Sequence, residues 1–164
     1  MDFLVVADTS PINYLVQLGH AELLAELYGR VLIPPAVLRE LANIGAPAVV
    51  RQWVAQPPSW LEVARVSRID PTLPAKLGSG EREAISLAIE RQNAALLIDD
   101  YLGRSEAKAR NLPVNGTLFV IFEAAARGRI NLDHCIQQLR KLGFRFSQAV
   151  EDSMRERYAK RRAQ

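Results

Sequence analysis

Short, continuous runs of apolar residues are the feature that most constrains how this chain folds. Three runs, at 3–7, 31–33 and 94–98, have the length of a strand and are rich in branched side chains. Strands that are apolar on both faces are typical of parallel sheets covered by helices. The runs therefore predict a parallel sheet that is buried on both faces.

The segments between these runs carry signals typical of helix starts. Ser10 can cap a helix with Pro11 at its first position, and Pro34-Pro35 opens another helix. Weaker strands are predicted at 60–66 and 113–114. The pattern predicts an α/β protein, a three-layer α/β/α sandwich with a central, mostly parallel sheet of about four or five strands. Helices are predicted over 11–17, 21–28, 35–43, 48–55, 81–92, 102–111, 117–127, from Asn131 or Asp133 to 142, and over 147–161.

Composition limits the class of protein. The chain has 164 residues, of which 49% are apolar and 24% are charged, which predicts a single domain over residues 1–164. Its one cysteine, Cys135, excludes an intrachain disulfide and a multi-cysteine zinc site. No apolar run is long enough to span a bilayer, and the first run lacks the basic lead of a signal peptide, so we expect a cytoplasmic protein without membrane contact.

Basic residues are concentrated near the C-terminus. Residues 140–164 contain eight Lys or Arg and three acids, a net charge of +5 in a chain whose total is +3. A basic helical tail at about 147–164 can attract nucleic acid, although a solvated terminal helix is an equally good interpretation. The predicted nucleic-acid contacts in this tail are Arg155, Arg157, Lys160 and Arg161.

Acidic residues follow two of the predicted strands. Asp8 comes directly after the first run, and Asp99-Asp100 comes after the run at 94–98. Ligands of parallel sheets bind at the carboxyl ends of the strands, so these acids are candidates for one site. An aspartate after a strand can instead cap the next helix, but Ser10 already supplies a cap after Asp8, and two adjacent acids exceed that need.

Two further acids are placed by helical periodicity. Glu40 lies within the apolar stripe made by Val37, Leu41 and Ile44, where a carboxylate is costly unless it is paired or bound to a cation. In the helix over 81–92, Glu81 falls near the centre of the buried arc and Glu83 near its edge. An interaction of Glu81 with the helix dipole is the alternative. The residues that define this arc are Ala84, Ile85, Ala88 and Ile89.

Four acids from two strand ends and two helices predict a divalent-metal site. Oxygen ligands favour Mg²⁺ or Mn²⁺ over zinc or copper. Such a site can ionise a bound water and stabilise the leaving oxygen of an in-line displacement. The chemistry that this arrangement predicts is phosphodiester hydrolysis.

Five motifs in order resemble those of PIN-domain ribonucleases. They are Asp-Thr-Ser-Pro at 8–11, the segment 31–41 that ends near Glu40, the segment 77–88, the strand and acids at 96–100, and Asn-Gly-Thr-Leu at 115–118. The resemblance covers about residues 3–130. It implies a metal-dependent, often dimeric nuclease, similar to toxins of the VapC type and closest to a PIN-like branch whose function is largely unassigned.

The resemblance also assigns roles to residues. It implies Asp8, Glu40, Glu81 and Asp100 as catalytic residues, with Glu83 and Asp99 as further candidates for binding Mg²⁺ or Mn²⁺. The third acid is Asp in many relatives and Glu in this chain. Thr9 and Ser10 are expected to support Asp8. For Thr117, capping its own helix is favoured over orienting a ligand.

The function predicted from the sequence is metal-dependent ribonuclease activity, with RNA as substrate, a homodimer, and an antitoxin protein as a further expected partner. The dimer prediction comes from apolar segments at 21–28 and 46–55. The alternative is a non-catalytic PIN-like domain that binds RNA or a protein. A phosphatase with Asp8 as nucleophile is disfavoured, because Ser10 stands where a second Asp is required.

Overall fold

One parallel sheet organises the fold. The computed structural model describes residues 4–92 and 94–164, and five parallel strands form its sheet in the order β3-β2-β1-β4-β5. Phe3, predicted to begin the first strand, lies outside the described residues. The α/β sandwich is confirmed, and the sheet is entirely parallel. The strands are β1 Val5–Ala7, β2 Val31–Ile33, β3 Leu61–Val63, β4 Ala95–Leu97 and β5 Val114–Asn115.

Helices follow the strands as the sequence predicts. Each predicted helix is present within the described ranges, with bounds that differ by only a few residues. The described part of the chain contains α1 Thr9–Gln17, α2 Glu22–Tyr28, α3 Pro35–Ala42, α4 Ala48–Ala55, α5 Ser79–Glu90, α6 Tyr101–Ala109, α7 Thr117–Ala126, α8 Leu132–Lys141 and α9 Gln148–Arg162.

Strand β1 lies at the centre of the sheet. It pairs with β2 through Val5 and Val31 and with β4 through Val6 and Leu96, so the strand order changes direction at β1. Its three residues are fully buried, as expected of a strand covered on both faces. A change of direction in a parallel sheet opens a crevice at the carboxyl ends of the strands.

A core on one face of the sheet holds α5 in place. Val6, Leu32 and Leu96 project from three neighbouring strands and cluster with Ala84 and Ile85 of α5. Complete burial of a Leu or Ile side chain contributes about 1.5–3 kcal/mol. This packing fixes the N-terminus of α5 near the strand ends that carry the acids.

Two apolar residues that the sequence places on buried faces are exposed. Ile44 is 88% exposed because α3 ends at Ala42, before Ile44 can join its stripe. Ile89 is also exposed, and Leu87 is buried in its place. The prediction that Glu40 lies within a buried apolar stripe is therefore wrong, because Glu40 is exposed.

The chain divides into two compact units, Met1–Thr117 and Leu118–Gln164. The first unit contains the whole sheet. In the second, Asn131 caps α8 by accepting from the His134 N–H, and Ser147 caps α9 by accepting from the Val150 N–H. A single domain over 1–164 stays a prediction. None of the helices in the described ranges has the length and apolarity needed to cross a membrane.

Candidate active site

The carboxyl ends of β1 and β4 bring two of the predicted acids together. Asp8 follows β1 directly, and its backbone N–H donates to the Leu97 carbonyl at 2.8 Å. Asp99 follows two residues after Leu97. These residues therefore share the edge at which the strand order changes direction.

Asp8 has surroundings that are unusual for a carboxyl group. It is 3% exposed, and its Oδ1 is buried without a hydrogen-bond partner. Burial raises the pKa of Asp8 to about 8, against a lowering hydrogen bond from the Thr9 backbone. The charges of Glu81, Glu40 and Asp99 are smaller contributions to the same rise. Asp8 thus lies among other carboxylates, and its own Oδ1 has no hydrogen-bond partner.

The two adjacent aspartates have different roles. Asp99 accepts from the Ser10 hydroxyl at 2.7 Å, and from the Thr117 backbone N–H and hydroxyl at 2.8 and 2.7 Å. Asp100 caps α6, accepting from the Gly103 N–H at 2.7 Å. Asp99 is therefore the aspartate that hydrogen bonds fix beside Asp8, and Asp100 is the one that starts the next helix.

The hydroxyl groups of Thr9 and Ser10, which were predicted to support Asp8, form hydrogen bonds with other acids. Ser10 neither caps α1, which begins at Thr9, nor bonds to Asp8; its hydroxyl donates to Asp99. The Thr9 hydroxyl donates to Glu40, and only the Thr9 backbone bonds to Asp8. The Thr117 hydroxyl also donates to Asp99, and the prediction that it caps its own helix stays a prediction, because a hydroxyl that donates can still accept.

Glu40 is held by a close approach of backbone. Its Oε1 accepts from the Gly80 N–H at 3.2 Å, in addition to the Thr9 hydroxyl bond to Oε2. A Cβ at position 80 would lie 2.7 Å from Oε2 and 2.8 Å from Oε1, so Gly80 is the residue that permits this contact. Gly80 lies in the segment 77–88 and was not among the predicted site residues, yet it has a direct part in placing Glu40.

The two glutamates of α5, Glu81 and Glu83, interact with different groups. Burial raises the pKa of Glu81, hydrogen bonds from backbone N–H groups lower it, and the charges of Asp100 and Glu40 raise it. Glu83 instead accepts from the Ala36 N–H at 2.8 Å, at the start of α3. Glu81 is therefore the α5 residue that belongs to the acid group, and Glu83 ties α5 to α3.

An arginine that the sequence analysis did not single out lies beside Asp99. Arg104 Nη1 donates to the Ile98 carbonyl at 3.2 Å. A Cβ at Gly116 would lie 2.7 Å from this Nη1 and 2.8 Å from Asp99 Oδ1, so both groups depend on glycine there. The Asn-Gly pair before Thr117 was a signal for Gly116, whereas nothing in the sequence pattern marked Arg104.

The donor set fits a hard divalent cation, although the side chains do not close on one point. Within residues 4–92 and 94–164, no group of three or more His, Cys, Asp or Glu is arranged to hold a metal ion. The candidate ligands are nevertheless carboxylates, and the unsatisfied Asp8 Oδ1 is the kind of atom that a cation would satisfy. The residues that would hold Mg²⁺ or Mn²⁺ are Asp8, Glu40, Glu81 and Asp99, with Asp100 beside Glu81.

Most of the basic residues predicted to bind nucleic acid are engaged within the second unit. Arg155 pairs with Glu151 and Asp133, Lys160 pairs with Glu156, and Arg161 pairs with Glu123. The guanidinium of the remaining residue, Arg157, lies 5.1 Å from the centroid of the Phe122 ring. Their contact with RNA stays a prediction.

The fold and the acids define an α/β protein with a carboxylate cluster at the switch point of a parallel sheet. A family model described as PIN domain (DUF3368) matches residues 4–160. The chain therefore belongs to the PIN-domain family, whose members are generally nucleases that use divalent metals.

Two individual proteins are similar to parts of this chain. A PilT N-terminus domain protein from the archaeon Sulfolobus solfataricus P2 superposes with a TM-score of 0.53 at 19% identity, over 72% of this chain and 90% of that one. This likeness shows the fold. The tRNA uridine 5-carboxymethylaminomethyl modification enzyme MnmG of Deinococcus radiodurans is 39% identical over 67 residues, which are 41% of this chain and 11% of that protein.

Proposed function

We propose that this protein is a Mg²⁺- or Mn²⁺-dependent endoribonuclease that hydrolyses RNA phosphodiester bonds. The observation that carries the proposal is Asp8, buried with an unsatisfied oxygen among Glu40, Glu81 and Asp99. A buried carboxylate without a cation is costly, and a buried carboxyl group with a raised pKa beside other acids is typical of functional sites.

The chain's own residues would prepare this site before the metal binds. Thr9 and Gly80 orient Glu40, while Ser10 and Thr117 orient Asp99, so these two carboxylates are presented in fixed positions. When bound, the metal ion supplies an ionisable water and a positive charge for the phosphate oxygens. Asp8 then holds its charged form, because a nearby cation favours the carboxylate over the carboxylic acid.

Cleavage of a labelled single-stranded oligoribonucleotide tests the proposal. We expect cutting with Mg²⁺ or Mn²⁺, none with EDTA, and a loss of at least about 100-fold for Asp8→Asn, because the amide keeps the volume but not the charge. Glu62→Gln is the matched control: it changes an exposed acid on β3 and should leave the rate unchanged. Equal rates for wild type and Asp8→Asn would reject the ligand assignment.

A non-catalytic PIN-like domain that binds RNA or a protein is the second candidate. It is favoured by the absence, among the described residues, of a closed group of three metal-binding side chains. This candidate predicts that wild type binds the same oligoribonucleotide in EDTA but does not cut it with either metal.

A homodimer and an antitoxin partner belong to the proposal as well. In the segment 46–55, Val49 is 50% exposed, as an apolar residue at an interface between copies would be before assembly. Light scattering should give twice the 18.3 kDa mass of the chain. A toxin should also be inhibited by the small protein encoded beside it, measured by co-expression and loss of RNA cleavage.

A further inference from the structure

Helix α6 presents an exposed face that the proposed function has not used. With the helical period of 3.6, Tyr101, Arg104, Ser105 and Lys108 lie on the same side of α6. Tyr101 is 86% exposed, and Ser105 and Lys108 are exposed as well. We call Tyr101, Arg104 and Lys108 the α6 stripe. The stripe combines one aromatic ring with two positive charges.

The acid of α6 is held on a different side of the helix. Glu106 pairs with Arg110 at 2.6 Å, and Arg110 pairs in turn with Asp70 at 2.7 Å. Glu106 is thereby kept from neutralising Arg104 or Lys108. The exposed face of α6 therefore carries cations without an acid of the same helix beside them.

The α6 stripe begins beside the acid cluster, which is the group formed by Asp8, Glu40, Glu81 and Asp99. Tyr101 directly follows Asp100, which caps the helix through Gly103. One turn further on, Arg104 Nη1 reaches back to the Ile98 carbonyl and lies near Asp99 Oδ1 over Gly116. A chain of nucleotides with one phosphate at the acid cluster would thus have its neighbouring nucleotides beside α6.

We propose that the α6 stripe is a subsite for single-stranded RNA, with a base stacked on Tyr101 and neighbouring phosphates on Arg104 and Lys108. The inference rests on the proposed function and extends it to the form of the substrate. A cluster of carboxylates repels a phosphate backbone, so binding needs cations and stacking surfaces close by. An exposed ring can stack only on a base that is unpaired and turned outward, which favours single strands over duplexes.

Binding without cleavage tests the stripe separately from catalysis. Fluorescence anisotropy of a labelled single-stranded oligoribonucleotide is measured in EDTA, in the Asp8→Asn background. We expect Tyr101→Ala to raise the Kd on the order of tenfold and Tyr101→Phe to leave it near that of the parent, because the ring is kept. Ile44→Ala, which removes an equally exposed apolar side chain just beyond the end of α3, should have no effect.

The charge of the stripe is tested by salt dependence. Lys108→Ala should reduce the slope of log Kd against log salt concentration by about 0.7, the value for one phosphate contact on a single strand. Arg91→Ala, at the opposite end of α5 from Glu81, is the matched control and should keep the parent slope.

The outcomes separate the stripe from the nuclease proposal. If wild type cuts RNA but Tyr101→Ala binds it as tightly as Tyr101→Phe, the proposed RNA-binding role of the α6 stripe is wrong and the nuclease proposal stands. Failure of wild type and Asp8→Asn to bind single-stranded RNA, or equal binding of a duplex with the same dependence on Tyr101, also overturns the stripe. Loss of binding in Tyr101→Ala supports the stripe even if wild type cuts no RNA.

Discussion

Two buried carboxylates in this molecule have opposite surroundings. Glu151, 9% exposed in the second unit, receives Arg140 at 2.5 Å and Arg155 at 2.9 Å, and these hydrogen bonds hold its pKa below the ordinary value. Asp8, in the first unit, has an unsatisfied oxygen and three other acids acting on it, and burial raises its pKa to about 8. Glu151 contributes to stability, whereas Asp8 costs stability unless a cation binds.

The two residues also give stability opposite dependences on pH. The folded pKa of Glu151 is depressed, so its contribution is present above the unfolded pKa and is lost as pH falls through the folded value. The folded pKa of Asp8 is raised, so the folded state binds the proton more tightly and stability falls as pH rises from about 4 to about 8. The comparison thus distinguishes a structural carboxylate from one that fits a metal.

The largest expected effect is the pH dependence that Asp8 imposes without metal. In EDTA, the free energy of unfolding should fall on the order of 5 kcal/mol between pH 4 and pH 8 because the folded state must release the Asp8 proton. Urea unfolding across this range should show the slope in wild type and Glu62→Gln and lose it in Asp8→Asn. If the free energy of unfolding depends on pH in the same way in wild type and Asp8→Asn, Asp8 does not differ from Glu151 in its effect on stability.

Metal binding should reverse the cost at Asp8. At a Mn²⁺ concentration 100 times the Kd, the native state gains about 2.7 kcal/mol by mass action. Thermal scans should show a larger rise in Tm at pH 8 than at pH 6, since binding displaces a proton from Asp8. Asp8→Asn should not respond; a response of unchanged size in that variant would place the metal elsewhere.

Removing the Glu151 carboxylate should act on stability alone. Glu151→Ala leaves Arg140 and Arg155 without their shared acceptor and should cost about 2 kcal/mol in urea unfolding at pH 7. Asp152→Ala, which changes the exposed neighbouring acid, should stay within about 0.5 kcal/mol of wild type. The Tm response to Mn²⁺ should be retained in both variants, and its loss in Glu151→Ala would contradict the separation of roles.

The smallest expected effect concerns the orientation of Glu40. In Gly80→Ala the new methyl group would displace the Glu40 carboxylate, so the Mn²⁺ affinity should fall about tenfold by isothermal titration. The Tm without metal should not fall, because Ala favours a helix over Gly. Ser79→Ala, one residue earlier on α5, is the control and should bind Mn²⁺ normally.

The sequence by itself determined the parallel sheet and the edge at which the acids lie. Apolar runs without polar alternation require burial on both faces, and a residue after a parallel strand must come to the sheet's carboxyl edge. Asp8 and Asp99-Asp100 were therefore predictable from their place in the chain. Glu81 was predictable as well from helical periodicity. Three of the four residues that define the buried arc of α5 are buried, so the arc is correctly placed although Ile89 is exposed.

Only the tertiary structure decided which partner each acid has. Asp99 is held by Ser10, 89 residues away, and Glu40 by Thr9, 31 residues away. The Glu83 carboxylate is held at the start of α3 by the N–H group of Ala36, 47 residues earlier in the chain. A hydrogen bond depends on distances of about 3 Å, and strand and helix periodicity set only the face on which a side chain lies. Packing of α3, α5 and α6 around the strand ends fixes those distances, so periodicity alone could identify the acids but not their partners.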